Sequence, residues 1–502
     1  MIKALPETVA AIDLGSNSFH MIVCRVKDGK LHTIDRLKEM VRLASGLNSQ
    51  GQLTGDAQER ALACLERFGQ RVRGFPPGSV RVVGTNTLRN ALNAADFIRK
   101  AEQVLGHPVD IIAGVEEARL IYQGVVHSIA SSAPSRLVMD IGGGSTEYII
   151  GQGDSPKRKE SLEMGCVSVS KAYFPRGEYS AKAMHQAVLF AQQQLEPYQR
   201  IFHVDAFEEA IGASGSLRAI DRVLTASGWS HGGITPEALE ALLAAMSRCQ
   251  HSEEFALSGL DPERVPVFAG GVAIVQATFQ SLGIRHMTVA DGALREGLVY
   301  DLLGRLYDHD IRAETVAMLC ERYHTDQAHA ARIKQTLQAL LAQVSLTTLT
   351  ENQLESMRQY LDWAADLHEL GQDIAHSQYH KHSAYILAHA DLAGFSRQDQ
   401  LLLEALVRSH RKKFSLSRFA ALPEPWREWA PLMAILLRLA CLLHRSRQDA
   451  APPTCQLSWK PWKHKLKLGF PDQWLANAPL TQADLDTERD YLEKAGYRFE
   501  YR

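Results

Sequence analysis

VMDIGGGSTEYIIG, residues 138–151, carries the clearest structural signal in the chain. An apolar run ends at Asp140, three glycines and a Ser-Thr pair follow, and a second apolar run begins after Glu147. β-Branched runs on either side of a glycine-rich turn are typical of a β-hairpin. A hairpin needs only a short turn, so the number of glycines indicates that something approaches this backbone closely.

A second stretch, VAAIDLGSNSFHMIVCRV at residues 9–26, repeats the order of strand, aspartate, glycine-containing turn and strand. Asp13 then corresponds to Asp140. Both stretches have Val- and Ile-rich runs around the turn, which favours a hairpin in each. Two similar hairpins predict two similar subdomains, and therefore a duplicated α/β architecture.

The glycines of the two turns predict an anion site. Glycine at Gly15, Gly142, Gly143 and Gly144 permits positive φ and lets successive N–H groups point into one concavity, which suits phosphate. Asp13 and Asp140 would end strands beside that phosphate, which is electrostatically sensible only with a divalent cation between them. The pattern therefore predicts Mg²⁺. A plain tight hairpin is the alternative for either motif alone.

Two further glycine-containing stretches have a similar shape. AIGASGSLRAI (residues 210–220) and PVFAGGVAIV (residues 266–275) are both expected to be strand ends that open into helices. A helix N-terminus places free N–H groups and a positive dipole end at an anion. Together with the two hairpins, they predict four phosphate-type turns around one cleft.

Composition limits the class of protein. With 502 residues the chain needs several domains, and 45% hydrophobic with 22% charged residues is globular. A net charge of −2 excludes a globally basic nucleic-acid binder. Seven scattered cysteines without a Cys-x-x-Cys pair argue against a disulfide framework or a zinc ribbon, and favour a reducing compartment.

Apolar segments give no sign of export or membrane insertion. MIKALPETVAAIDLG lacks the apolar core and cleavage site of a signal peptide. PLMAILLRLACLLH (residues 431–444) is interrupted by Arg438 and is too short to span a bilayer, so we interpret it as a buried helix. We expect a cytoplasmic protein without a transmembrane segment.

The motifs together resemble known proteins. IDLGSNSFHM, DIGGGSTE, IGASGS and FAGG resemble the actin, Hsp70 and sugar-kinase fold, in which duplicated α/β subdomains clamp a phosphate chain. With GTNTLRNALN, GVEEARLIYQGV and DGALREG added, the chain is similar to the exopolyphosphatase and guanosine pentaphosphate phosphohydrolase family over about residues 8–475. The implied architecture is two actin-like (ribonuclease H-like) subdomains, an all-α HD-like domain and a small C-terminal α+β module. Their expected bounds are 1–124, 125–305, 306–450 and 451–502.

This resemblance implies hydrolytic removal of a terminal phosphate, and the residues give an independent reason for hydrolysis. Glu116 and Glu117 are expected to open a helix after the strand VDIIAG, where a carboxylate can take a proton from an attacking water. By its match to the family motif, Glu117 resembles the catalytic base. Without the family context, both glutamates would merely complement the helix dipole.

Further roles follow residue by residue from the same resemblance. Asp140 and Glu147 resemble the Mg²⁺ ligands, with Asp13 as a contributor in direct or outer-shell contact. Arg89, in GTNTLRNALN, is expected to clamp the transferred phosphoryl group, its alternative being a surface salt bridge. Amides and hydroxyls are expected to complete the phosphate cradle at Asn17, Ser18, Gly143, Gly144, Ser145, Thr146, Ser214, Gly215 and Ser216.

From about Asp308 the pattern becomes helical without glycine turns. DLHELGQDIAHSQYHKHSAYILAHADLAGF resembles the HD phosphohydrolase helical domain, whose metal site uses a His-Asp pair. Here the pair is His368-Glu369, and the longer glutamate displaces the ligand oxygens. We therefore interpret the helical domain as structural. The nearby His376, His380, His382 and His389 have the spacing of a histidine-rich helical surface.

The stretch VRSHRKKF clusters Arg408, Arg411, Lys412 and Lys413 and predicts a track for a long polyanion, the alternative being a solvated face. The tail after about Ala451 alternates polar and apolar residues and predicts strands. Its lysines beside Trp459 and Trp462 favour an edge sheet over a single-stranded nucleic-acid site, so no nucleic-acid partner is expected.

The predicted function is that of an Mg²⁺-dependent exopolyphosphatase that releases terminal orthophosphate from inorganic polyphosphate. The alternative is hydrolysis of guanosine 5′-triphosphate 3′-diphosphate (pppGpp) to ppGpp by the same chemistry. A regulator that binds this alarmone and hydrolyses little is a third hypothesis. The resemblance implies a homodimer, and leaves open both K⁺ as an activator and peripheral association with the inner face of the membrane.

Overall fold

A computed structural model of the chain describes residues 6–27, 30–129, 133–255, 257–306, 310–346, 349–448 and 453–502. The chain divides into two compact units, Met1–Asp310 and Ile311–Arg502. The boundary predicted between residues 124 and 125 falls inside a helix, and the one between residues 450 and 451 lies outside the described residues. The four predicted ranges therefore stay a prediction.

The first half of the first unit is a sheet with helices on it. Its elements are β1 (Thr8–Leu14), β2 (Phe19–Lys27), β3 (Lys30–Glu39), α1 (Gly55–Val72), β4 (Val80–Gly84), α2 (Asn86–Asn90), α3 (Ala94–Leu105), β5 (Asp110–Ile111) and α4 (Gly114–Val126). The strand order is β3-β2-β1-β4-β5. β1, β2 and β3 pair antiparallel, whereas β4 and β5 join in parallel. β1 is almost entirely buried, as expected of a central strand made of Val, Ala, Ile and Leu.

The second half repeats this plan. Its elements are β6 (Ser135–Ile141), β7 (Thr146–Gln152), β8 (Ser155–Leu162), α5 (Cys166–Tyr173), α6 (Ala181–Leu195), α7 (Gln199–Phe202), β9 (Glu209–Ala213), α8 (Ser214–Ala226), α9 (Pro236–Met246), α10 (Val265–Leu282), β10 (Thr288–Val289) and α11 (Leu294–Leu306). The strand order is β10-β9-β6-β7-β8. Read in the opposite direction, it is the order of the first sheet with β6 to β10 in the places of β1 to β5. Both predicted hairpins are confirmed, as β1–β2 and β6–β7.

The two halves meet where α4 packs on α11, the helices that follow the last strand of each half. A Cβ added to Gly124 would lie 1.9 Å from the carbonyl oxygen of Ala293, and one added to Gly297 would lie 1.8 Å from that of Leu120. The two backbones are therefore in direct contact, which only glycine allows. Apolar residues of both sheets and both helices form one continuous core around this crossing.

The expectation of a turn at PVFAGGVAIV is wrong, because these residues lie inside α10. Gly270 serves helix packing instead, since a Cβ there would lie 2.5 Å from Ser170 Oγ on α5. By length and hydropathy, the stretch Pro262–Leu282 alone among the described residues passes as a candidate membrane span, but 67% of it is buried within the protein. A buried core helix passes the same test.

The second unit begins with helices and ends in a small sheet. Its elements are α12 (Ile311–Arg322), α13 (Gln327–Leu341), α14 (Glu351–Leu367), α15 (Tyr379–His389), α16 (Arg397–Ser409), α17 (Trp426–Leu443), β11 (Gln456–Lys460), β12 (Lys465–Gly469), α18 (Pro479–Glu493) and β13 (Arg498–Tyr501). The strand order is β11-β12-β13, and the sheet and α18 share one hydrophobic core with the preceding helices. This unit confirms the predicted helical region and the terminal α+β segment.

The predicted buried helix at residues 431–444 is confirmed as most of α17. Its Arg438 is only 2% exposed and is paired with Glu488 of α18, with 2.7 Å between Arg438 Nη2 and Glu488 Oε2. Arg438 also donates to the backbone carbonyls of Ser409 and Lys412, at 2.5 and 2.9 Å. A buried guanidinium with all these partners fixes the loop after α16 against α17 and α18.

Candidate active site

The two hairpins place acidic side chains at equivalent points. Asp13 on β1 lies opposite His20 on β2, and Asp140 on β6 lies opposite Glu147 on β7. Directly opposed residues of an antiparallel pair point to the same face of the sheet. The duplication therefore brings Asp140 and Glu147 together in one half, and sets Asp13 beside an imidazole in the other.

These carboxylates are buried and repel one another. The pKa of Asp140 is raised to about 7, mainly by burial and secondly by repulsion from Glu117. The pKa of Asp13 is raised well above its ordinary value by the same two causes in the same order. The pKa of Glu147 is also raised, by burial and then by Glu117 and Asp140. Such a cluster, ionised, calls for a cation.

The three carboxylates match a hard divalent cation in ligand chemistry but not in spacing, since the group of three ligand atoms within 4.8 Å of one another among the described residues is His329, His368 and Glu369. Asp13 Oδ1 is buried and has no hydrogen-bond partner in the described part of the chain. Glu147 is oriented by Ser161, whose hydroxyl donates to Oε1 at 2.8 Å. Asp13, Asp140 and Glu147 offer oxygen ligands alone, which is what Mg²⁺ prefers.

Glu117 stands at the start of α4, as predicted, and lines the same cavity as Asp13 and Asp140. It is 7% exposed, and Arg89 Nη1 donates to its Oε2 at 2.8 Å. The same Arg89 nitrogen donates to the carbonyl of Ile112, also at 2.8 Å. Arg89 itself is outside the described lining of the cavity and contacts Glu117, and the phosphate clamp predicted from the sequence stays a prediction.

The neighbouring Glu116 belongs to a buried network of ion pairs. It pairs with Arg119, with 2.7 Å between Glu116 Oε1 and Arg119 Nη2, and Arg119 in turn pairs with Asp301 of α11 at 2.5 Å. All three side chains are buried. One of two adjacent glutamates thus tightens the α4–α11 contact, while the other faces the cavity.

The glycine turn between β6 and β7, residues 142–144, contacts the first half of the unit. A Cβ on Gly143 would lie 2.8 Å from Ser16 Cβ, and one on Gly144 would lie 2.2 Å from Asn86 Oδ1. Gly15, Gly142, Gly143 and Gly144 all lie outside the left-handed region, so none of them uses the positive φ that glycine permits. Glycine is required here because another segment of the same chain lies close to the turn, and not because of the backbone angles of the glycines.

The structure brings most of the predicted cradle into one cavity of ≈ 120 Å³ between the two halves. Predicted residues in its lining are Asp13, Asn17, Ser18, Glu117, Asp140, Gly143, Ser145, Ser214 and Gly215. Thr146 is outside this lining, since it is fully buried and its hydroxyl donates to the carbonyl of Met164 at 2.5 Å. Ser216 lines a small neighbouring cavity.

Ser214 begins α8 after β9, which confirms the strand-to-helix turn predicted for IGASGS. Its φ of 92° is in the left-handed region, which costs a non-glycine residue energy. Gly215 is covered by Arg264, because a Cβ there would lie 1.7 Å from Arg264 Nη2. The turn therefore carries an arginine side chain over its backbone.

Three arginines of the cavity were missed by sequence reasoning. Arg218, Arg264 and Arg295 all line it. Arg218 donates to the carbonyl of Asp291 at 2.9 Å, and its pKa is lowered by burial and by Arg295. Two of them stand inside motifs that were recognised, GASGSLRAI and DGALREG, so the signal was present there. Three guanidinium groups beside three carboxylates suit a phosphate-rich anion that binds together with a cation.

In the second unit, His368 and Glu369 directly follow α14, and His329 of α13 lies close to both. The ligand atoms of the three lie within 4.8 Å of one another. However, the guanidinium of Arg447 pairs with Glu369 and already gives this carboxylate a counter-charge. This supports the structural interpretation. The four histidines weighed from the sequence, His376, His380, His382 and His389, are outside this group.

The predicted basic track also lies in the second unit. Arg408 is half-buried, and Arg411 lies over the ring of Tyr379, with 4.6 Å from its Cζ to the ring centroid. Lys412 and Lys413 are exposed. Their contact with a substrate stays a prediction.

A profile of the Ppx/GppA phosphatase family matches residues 22–306, and one for domain III of the same family matches residues 311–489. The chain belongs to the Ppx/GppA phosphatase family. The family resemblance seen in the sequence is thereby confirmed, and the family is one of phosphoanhydride hydrolases.

Curated relatives in this family match nearly the whole chain. The guanosine-5′-triphosphate,3′-diphosphate pyrophosphatase of Vibrio cholerae is 40% identical over 492 residues, covering 97% of each chain. The protein of the same name from Photobacterium profundum is 39% identical, covering 95% of each.

Solved structures support the fold over 60% of the chain. An exopolyphosphatase from Cytophaga hutchinsonii superposes with a TM-score of 0.54 at 22% identity, covering 60% of this chain and 98% of that one. An Aquifex aeolicus family member gives 0.51 at 24% identity, covering 60% and 99%. The predicted actin-like fold with a helical C-terminal region is confirmed.

Proposed function

We propose that the protein hydrolyses the terminal phosphoanhydride bond of pppGpp to give ppGpp and orthophosphate. The observation that carries this proposal is the position of Glu117, a buried carboxylate held by Arg89 in a cavity that also contains Asp13, Asp140 and three arginines. Glu117 accepts a proton from water as the water oxygen bonds to the terminal phosphorus. The bond from that phosphorus to the bridging oxygen breaks, and ppGpp leaves with the bridging oxygen.

The remaining roles belong to residues in the cavity lining and to Glu147, which is outside that lining and lies opposite Asp140. Asp13, Asp140 and Glu147 would hold Mg²⁺, which when bound supplies positive charge to the phosphate oxygens. Arg218, Arg264 and Arg295 bind the non-bridging oxygens and orient the chain. Backbone amides of the glycine turns supply further donors.

A second cavity supports a nucleotide as the substrate. It measures ≈ 430 Å³ and shares Ser16 and Asn17 with the first. Its lining combines cations, carboxylates and an aromatic ring: Arg42, Lys171, Arg176, Glu253, Glu263 and Phe174. Carboxylates repel a linear polyphosphate but accept the N–H groups of guanine, while the cations suit a 3′-diphosphate. The names of the relatives favour the same substrate.

Exopolyphosphatase activity, the main prediction from the sequence, is the second candidate. The comparisons back the pppGpp alternative better, since whole-length relatives bear that name. The observation in favour of polyphosphate is the basic stretch Arg408 to Lys413, a local excess of cations of the kind that binds polyanions. Both activities need the same chemistry at Glu117.

The test is phosphate release with Mg²⁺ from pppGpp and from long-chain polyphosphate, compared as kcat/KM. We expect the ratio to favour pppGpp, and Arg42→Gln to raise KM for pppGpp while leaving polyphosphate unaffected. A higher kcat/KM for polyphosphate would reverse the assignment. Calorimetry with Glu117→Gln separates an enzyme from a regulator, since an enzyme keeps binding and loses turnover. Glu163→Gln, at an exposed carboxylate, is the matched control.

A further inference from the structure

His20 stands where the duplicated architecture would place an acidic residue. It is opposite Asp13 in the first hairpin, as Glu147 is opposite Asp140 in the second. Its ring is half-buried and lines the cavity together with Ser18 and Arg295. The two halves have therefore diverged at this position, which indicates a distinct task for the imidazole.

Two hydrogen bonds fix which ring nitrogen carries the proton. Arg295 Nη1 lies 3.1 Å from His20 Nδ1. A guanidinium can only donate, so Nδ1 must accept and is unprotonated. The proton of the neutral ring is then on Nε2, which lies 2.7 Å from Ser18 Oγ and donates to it.

This tautomer decides what Ser18 can do. Because Ser18 Oγ already accepts from His20, its own O–H points to another acceptor. Ser18 is 8% exposed and lies in the cavity lining, so a phosphate oxygen bound there would receive that proton as a hydrogen bond. The opposite tautomer would turn the Ser18 hydroxyl back toward the ring and put two donors against each other at Arg295.

A charged imidazolium would also face Arg295 with a donor. Burial is the main reason that the pKa of His20 is lowered to about 3, followed by the charges of Arg295, Lys38, Arg264 and Arg218. The ring thus stays neutral under ordinary assay conditions.

We propose that His20 is a positioning residue, which holds the Arg295 guanidinium by accepting from it and orients the Ser18 hydroxyl to donate to the terminal phosphate. This inference rests on the proposed phosphoanhydride hydrolysis in the same cavity. It links one donor from the glycine turn of the first half to one cation at the start of α11 through a single ring.

Two polar substitutions separate the two contacts. In His20→Asn the amide oxygen takes the place of Nδ1 and can still accept from Arg295, but the donor to Ser18 is lost. In His20→Gln the amide nitrogen reaches the place of Nε2 and can still donate to Ser18, but the acceptor for Arg295 is lost. His20→Phe loses both.

We expect kcat/KM for pppGpp to fall about tenfold in each polar variant and about a hundredfold in His20→Phe, since one hydrogen bond is worth about a factor of ten. Ser18→Ala should also cost about tenfold in the wild-type background. Added to His20→Asn, in which the hydroxyl is no longer oriented, Ser18→Ala should lower kcat/KM no further. Added to His20→Gln, it should again lower kcat/KM about tenfold. His32→Asn, at an exposed histidine of β3, is the matched control and should leave kcat/KM unchanged.

The outcomes separate this inference from the function on which it rests. A wild-type protein that releases no phosphate from either substrate defeats the proposed hydrolysis. If the wild type is active but the losses of kcat/KM caused by Ser18→Ala and His20→Asn add on the logarithmic scale, the positioning role is defeated and the proposed hydrolysis is not. If His20→Phe does not fold, as judged by its thermal transition, the coupling between Ser18 and the two polar variants still decides.

Discussion

The buried carboxylate Asp140 should make the metal-free protein lose stability as the pH rises. Its pKa is about 7 in the folded chain and 3.8 ordinarily. A raised folded-state pKa contributes stability that is complete below the unfolded value and disappears as the pH rises through the folded value. At about 1.4 kcal/mol per pH unit, the contribution of Asp140 amounts to about 4 kcal/mol between about pH 4 and pH 7.

The assay is thermal or urea unfolding in EDTA at half-unit steps from pH 5 to pH 8. We expect the free energy of unfolding of the wild type to fall relative to that of Asp140→Asn, because asparagine cannot titrate. Excess Mg²⁺ should stabilise the wild type more at pH 8 than at pH 5, since protons compete with a cation for the carboxylate. A difference between the two proteins that stays constant over this range would refute the reasoning about burial and repulsion at Asp140.

The other predictions concern single contacts. Glu117→Gln should lower kcat by about 10²–10⁴-fold with KM nearly unchanged, as steady-state kinetics will show; a fall below threefold would remove Glu117 from the role of base. Glu488→Gln leaves Arg438 buried without a counter-charge and should cost about 3–5 kcal/mol in urea unfolding, whereas the exposed Glu493→Gln should cost almost nothing. Gly124→Ala should cost about 3 kcal/mol or more because its Cβ meets Ala293, while Gly55→Ala, with nothing within 4 Å, should be tolerated.

The sequence predicts the two hairpins because β-branched strands around a glycine turn leave a local signal. It fails at PVFAGGVAIV for a physical reason. The pair Gly270-Gly271 has the same letters as a phosphate turn, but the requirement it meets is the close packing of α10 on α5. A glycine can be required by a backbone angle, by a ligand or by a neighbouring helix. Which of these applies depends on contacts with residues that are far away in the sequence.

The site was predictable where a residue acts within its own motif. Asp13, Asp140 and Glu117 were found because strand ends and a helix start place them locally. Arg89 was also found, but its hydrogen bond to Glu117, 28 residues away, was not. Arg264 lies outside the recognised motifs and reaches the cavity only by folding over Gly215.

The crossing of α4 and α11 at Gly124 and Gly297 also bears on how the cavity can open. Glu117 begins one of these helices and Arg295 lies in the other, each within three turns of the contact. In a rotation of one half against the other that preserves this contact, displacement grows with distance from the pivot. The rim of the cavity would then move widely, while Glu117 and Arg295, close to the pivot, would barely change their separation.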